Sequence, residues 1–174
     1  MENEVLKAIK ERRSIRRFKK EQVSDAELNT VLEAGTWAPT GMGTQDPFIV
    51  AVQDERPKAI LSGINAEIMG AKSDPFYGAP TQVYVFAPAG NPNNVKDGSL
   101  VLGSMMLAAH SIGLGSCWIN RVDKMVDYDE VKELMKSWHL PEGLMGVGSL
   151  ALGYPDGEPH AAKPRKDDYA RVIK

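Results

Sequence analysis

Asp97-Gly98-Ser99-Leu100-Val101-Leu102-Gly103-Ser104-Met105-Met106-Leu107-Ala108-Ala109-His110-Ser111-Ile112 is apolar nearly all the way round a helical projection, with Gly103, Ser104, Ala108 and Ala109 keeping parts of it thin. A helix with so little polar face must be buried on most sides. In a chain of 174 residues, covering it completely calls for a partner subunit. Gly113-Leu114-Gly115 ends the helix, and Ser116-Cys117-Trp118-Ile119 reads as a strand that runs into Asn120 and Arg121. Polar residues at a strand's end often face a ligand.

Upstream of this segment, the β-branched run Phe48-Ile49-Val50-Ala51-Val52 has the mark of a buried strand, and Glu55 to Ile64 that of a helix. A strand followed by a helix suggests an α/β arrangement. Asn65 to Pro80 is irregular and exposes aromatic residues near a turn, and Thr81 to Ala87 is a second strand. Residues 2–12 form a first helix, and Ser24-Asp25-Ala26-Glu27 has capping-box form ahead of a second that runs to about Ala34 and stops at Gly35. Trp37 to Pro47 carries two prolines and no helical period, so it is a loop, and long loops inside compact domains are often functional. Downstream, Tyr128 to Trp138 is an amphipathic helix and Gly146 to Leu152 a fourth strand. No repeat and no linker divides the chain, so residues 1–174 are expected to form a single domain.

Arg12-Arg13-Ser14-Ile15-Arg16-Arg17-Phe18, with Lys19 and Lys20, places six cations within nine residues of a chain whose formal net charge is only -2. The run follows the helical ladder Val5, Leu6, Ile9, so the arginines fall at the helix end and the turn beyond it. Two readings stand on the residues alone: a phosphate cradle built from guanidinium forks and a serine hydroxyl, and a basic helix end that complements the C-terminal dipole. The basic footprint is too narrow, and the chain too acidic, for a nucleic-acid partner. The single Cys117, in an apolar context, excludes an internal disulfide and reads as a buried, reduced thiol. His110, His139 and His160 lack metal-ligand spacing, so no metal site is nominated. No segment has the length of a membrane span and the N-terminus has no signal-peptide pattern, so a cytoplasmic protein without membrane contact is expected.

Four segments together resemble the nitroreductase family, and the resemblance runs essentially end to end. Arg12-Arg13-Ser14-Ile15-Arg16 is similar to the family's Arg-(Arg/His)-Ser-x-(Arg/Lys) signature, whose side chains bind the FMN phosphate, the ribityl chain and the pyrimidine edge of the flavin. Pro39, Thr40, Gly41, Met42 and Gln45 resemble a loop that reaches the flavin bound mainly by the other subunit, while Gly43 and Asp46-Pro47 depart from its usual pattern. Trp118, Ile119, Asn120 and Arg121 resemble the segment whose backbone passes flavin N5 and O4, and Asn65 a residue at the pyrimidine edge. Lys163-Pro164-Arg165 looks like the closing phosphate clamp, with Lys163 and Arg165 as its cations. The resemblance implies an α+β, three-layer fold with a central mixed sheet flanked by helices, in an intertwined homodimer with FMN at the interface. It further implies hydride transfer from NADH or NADPH to a nitroaromatic, quinone or similar small-molecule acceptor by a ping-pong route. The chemistry would occur at flavin N5, and no catalytic side chain is nominated. The alternatives it leaves are a flavin-binding or redox-sensing protein without turnover, and a dehalogenase-like branch of the superfamily. The short chain implies an open, permissive pocket.

Overall fold

The computed structural model describes residues 1–174. Strands β1 (Phe48–Val52), β2 (Thr81–Pro88), β3 (Gly115–Ile119) and β4 (Leu144–Gly153) form one sheet in the order β1-β2-β4-β3. Helices α1 (Glu4–Glu11), α2 (Asp25–Thr36), α3 (Glu55–Met69), α4 (Asn94–Ser111), α5 (Val122–Met125) and α6 (Asp129–Ser137) surround it.

Strand β2 is the hub, because every residue from Thr81 to Ala87 is buried. Its side chains alternate between two cores. Val83 and Val85 pack with Val31 of α2 and Leu102 and Met105 of α4, whereas Tyr84 and Phe86 face Leu61 of α3, Met125 of α5 and Val131 of α6. Three layers result, with α2 and α4 on one face and α3, α5 and α6 on the other. This is the α+β arrangement expected.

The strand-then-helix order of β1 and α3 does not produce the α/β crossover it suggested, because β1 and β2 are antiparallel neighbours. Helix α3 runs back along the sheet for ~22 Å, and residues 70–80 then return the chain to its starting end, where the Lys58 ammonium at the head of α3 donates to the Pro80 carbonyl at 2.8 Å. Strand β2 therefore starts at the end where β1 stopped. All three ladders are antiparallel, and the mixed character of the sheet is confined to one parallel bridge, Ser14 to Ser116.

Several boundaries move for local reasons. Helix α2 passes through Gly35 to Thr36; a Cβ there would lie 2.8 Å from Met105 Cγ, so that glycine serves close packing on α4 and is no stop signal. Helix α3 continues through Asn65 to Met69 and ends at the left-handed Gly70, φ 67°. The short α5 has no signal in the sequence pattern.

Two apolar surfaces stay uncovered in the single chain. Helix α1 buries no residue, and its Val5 and Ile9 are 61% and 56% exposed. Helix α4 buries Val101, Leu102, Met105 and Ala109 but leaves Leu100 and Gly103 in solvent, with nothing within 4 Å of a Cβ added at Gly103.

Glycine positions give a direct stability test. A Cβ at Gly146 would lie 2.3 Å from the Val122 carbonyl oxygen, so Gly146→Ala must separate β4 from α5 and should cost about 3 kcal/mol in urea denaturation. Gly63, inside α3 with open space around it, is the control: Gly63→Ala should stabilise by roughly 0.5–1 kcal/mol.

Candidate cofactor site

The basic run is pinned to the sheet edge by its backbone. The amide of Ile15 donates to the Ser116 carbonyl at 3.0 Å, that of Lys19 to Tyr154 O at 2.9 Å, and that of Asp156 to Arg17 O at 3.0 Å. This fixes Arg12, Arg13, Ser14 and Arg16 beside β3. Together with Lys163 and Arg165 of the extended tail they line one cavity of about 650 Å³. The two basic clusters, far apart in the chain, thus share a wall.

Charge in this cavity is unbalanced. Arg17 pairs with Asp156 at 3.8 Å, but none of Arg12, Arg13, Arg16, Lys163 and Arg165 is in an ion pair. Arg13 donates to the Lys10 and Arg12 carbonyls at 2.6 and 2.8 Å, which satisfies the end of α1, and Arg165 donates to Lys163 O at 2.7 Å. Both readings of the run are therefore present in part, since Arg13 does serve the helix end. Arg12 decides between them. Its side chain makes no hydrogen bond to the helix end and joins the wall of the cavity, where its charge, like those of Arg16, Lys163 and Arg165, has no carboxylate partner. A phosphate monoester, with close to two negative charges at neutral pH, has the charge and the acceptors such a cavity needs.

Cys117 lies beneath this corner, 3% exposed and free. Burial pushes its thiol up, against the opposing pull of the Arg16 charge, the Ser14 hydroxyl and the Arg12 charge.

At the far end of β3 a second group forms. Trp118 Nε1 donates to Asn120 Oδ1 at 2.7 Å; Asn65, wholly buried, donates to the Asn120 carbonyl at 2.9 Å and to Met125 Sδ at 3.2 Å; Arg121 Nε donates to Asn65 Oδ1 at 3.0 Å. Asn65 is thus spent on shaping the strand's end. Ile119 has its side chain in the core and its carbonyl on the Ser149 hydroxyl at 3.1 Å.

The loop that carries Pro39, Thr40, Gly41, Met42 and Gln45 is clamped to the start of α4. Both Asp97 carboxylate oxygens accept from the Gly41 amide at 3.1 Å, and the Gln45 amide donates to Thr40 Oγ1 at 3.0 Å. A Cβ at Gly41 would lie 2.4 Å from Asn93 Nδ2, so a side chain there would have to displace the Asn93 amide. Met42 and Gln45 have left-handed backbones, φ 57° and 54°, and Met42 is fully exposed. The departure at Asp46 has a structural use, since its carboxylate accepts from Asn91 Nδ2 at 2.7 Å. Asp97 was not singled out in the sequence, although an acid inside an otherwise apolar helix was the available signal.

The loop and the basic corner do not meet in one chain. Strands β1 and β3 are the two edges of the sheet, and Phe48 lies in the row of Gly146 whereas Ser116 lies in that of Leu152. Three strand spacings of ~4.8 Å and six residues of ~3.4 Å put these corners roughly 25 Å apart. Helix α4 bridges most of that distance, holding Gly41 at its first turn and leading into β3 from its last.

An α+β sheet with an unbalanced, anion-seeking corner at one edge and a clamped loop at the other is the class of protein described so far. Residues 9–154 match the nitroreductase family, and the chain belongs to it. A solved nitroreductase with bound FMN from Bacteroides fragilis is 32% identical, with a TM-score of 0.89 over 99% of this chain and 100% of that one. An FMN reductase (NAD(P)H) of Bacillus subtilis is 26% identical, covering 94% of this chain and 70% of its own. An iodotyrosine deiodinase of Thermotoga neapolitana is 28% identical, covering 93% and 94% respectively.

Burial and the raised thiol make Cys117 inert in the native state. Ellman's reagent at pH 8 should find no reactive thiol in the folded protein and one equivalent after unfolding; rapid labelling of the folded protein would contradict the placement of Cys117.

Proposed function

We propose that this protein is an FMN-dependent oxidoreductase that passes a hydride from NADH or NADPH to a nitroaromatic, quinone or similar electron-poor small molecule. The observation that carries the reading is the convergence of Arg12, Arg13, Arg16, Lys163 and Arg165, none of them in an ion pair, on one cavity. That is the demand of a bound phosphate, and FMN is what the B. fragilis relative binds. Arg12, Arg13, Ser14, Lys163 and Arg165 are assigned to the phosphate, and Arg16 to the polar edge of the ring. Trp118, Asn120 and Arg121, with the backbone at Ile119, are assigned to the reacting end. Asn65 serves by holding that end in shape. When bound, FMN accepts a hydride at N5 and returns it to the acceptor, which is why no acid–base constellation is required of the side chains.

The working unit in this reading is a homodimer. Pro39 to Gln45 stands roughly 25 Å from the basic corner of its own chain, so this loop serves the site of a second copy. The uncovered faces of α1 and α4 supply apolar surface for that contact. Because both reactants use one opening in turn, the kinetics are ping-pong.

The similarity to an iodotyrosine deiodinase supports reductive dehalogenation as a second reading. The α3–β2 connection, residues 70–80, contains no helix or strand that would form a lid, so the open-pocket reading is preferred.

The protein should purify yellow, be bleached by NAD(P)H without an acceptor, and give parallel initial-rate lines with a nitro or quinone acceptor. A colourless protein that gains no absorbance with added FMN would falsify this reading, and faster turnover of iodotyrosine than of nitro compounds would favour the second one. Sedimentation at sub-micromolar protein should show a dimer. Arg165→Ala should weaken FMN binding by roughly 10- to 100-fold and leave riboflavin, which has no phosphate, nearly unaffected.

A further inference from the structure

Arg121 carries a charge that nothing in its own chain balances. Its backbone is left-handed, φ 82°, a conformation that is unfavourable for a residue with a Cβ and that persists where the surroundings impose it. The surroundings here are specific. Nε donates to the side-chain Oδ1 of Asn65 at 3.0 Å, and Asn65 is wholly buried, its Nδ2 donating to the backbone carbonyl of Asn120 and to Met125 Sδ. The guanidinium is therefore oriented from beneath, while its remaining N–H donors have no partner in the chain. It forms no ion pair; Asp123 and Asp127, the acids nearest in sequence, are exposed and stand apart from it. A plain surface arginine is neither strained in its backbone nor steered by a buried amide. A planar fork held in advance, with its donors open, is arranged for a planar oxyanion.

We propose that Arg121 determines reactant specificity: it receives an oxyanion, a carboxylate or phosphate, of the small molecule that binds at the end of β3, with Asn65 as the residue that positions it. This rests on the flavoenzyme reading and deepens it, because that reading leaves the acceptor class open. The oxyanion has two possible sources, the organic acceptor and the phosphates of the nicotinamide dinucleotide. Half-burial of Arg121 removes part of the water that would screen the contact.

The experiment compares wild type, Arg121→Gln, Arg121→Lys and Asn65→Asp. Two selectivity ratios are measured from kcat/KM: 4-nitrobenzoate over its methyl ester, and NADPH over 1-benzyl-1,4-dihydronicotinamide, which has no phosphate. Benzoate binding to the protein as purified is measured by calorimetry, independently of turnover. Arg121→Gln should lower one ratio by roughly 10- to 100-fold; a fall in the first assigns the oxyanion to the acceptor, and a fall in the second to the dinucleotide. Arg121→Lys, which keeps the charge but not the fork, should lie between. Asn65→Asp should mimic Arg121→Gln by supplying the arginine with an internal carboxylate. If both ratios and the benzoate Kd stay within about twofold of wild type in Arg121→Gln, the proposal is overturned. Absence of flavin from wild type is a separate failure, of the flavoenzyme reading alone, since the calorimetric arm still reads Arg121.

Discussion

Strand β2 has protein on both faces and a paired neighbour on both edges, so each of its side chains must find a helix layer and each of its amides a ladder. That constraint orders the rest of the molecule. With β2 and β4 central, β1 and β3 become the edges, and the segments attached to them are sent to opposite sides. The loop before β1 and the basic run beside β3 owe their separation to the two central strands that lie between those edges.

The apolar pattern made much of this legible. Phe48–Val52 is a strand with the bounds its β-branched run indicates, and α4 is a long helix with little polar face. The capping box at Ser24 and Glu27 is formed with both reciprocal bonds. These features depend on near neighbours in the chain, which is the range over which periodicity and capping act. Strand direction was less legible, because it rests on residues 70–80, an irregular stretch with no period to read. Gly35 misled for a related reason: a glycine that ends a helix and one that admits a facing methionine look alike until Met105 is in view.

The candidate site was legible where it depends on charge and opaque where it depends on long-range hydrogen bonds. Arg12, Arg13, Ser14, Arg16, Lys163 and Arg165 announced themselves by residue type, and they do line one cavity. The Asp97 clamp on Gly41 and the Asn65 tie to Arg121 each join residues more than fifty positions apart. An acid in an apolar helix marks Asp97 as unusual, but nothing local names the partner of either residue. Asn65 in particular is an ordinary helical asparagine until the burial of α3 makes its unpaired amide too costly to leave free and the end of β3 becomes its partner.

The diagonal placement of the two halves has a genetic consequence in the proposed dimer. A chain damaged at the basic corner and a chain damaged at the Pro39–Gln45 loop are each inactive when paired with themselves, since both of their composite sites lack a half. Co-expressed, they form mixed dimers in which one site inherits both defects and the other inherits neither. Two recessive lesions in one gene would then complement each other, with mixed dimers reaching at most half the activity of the undamaged assembly.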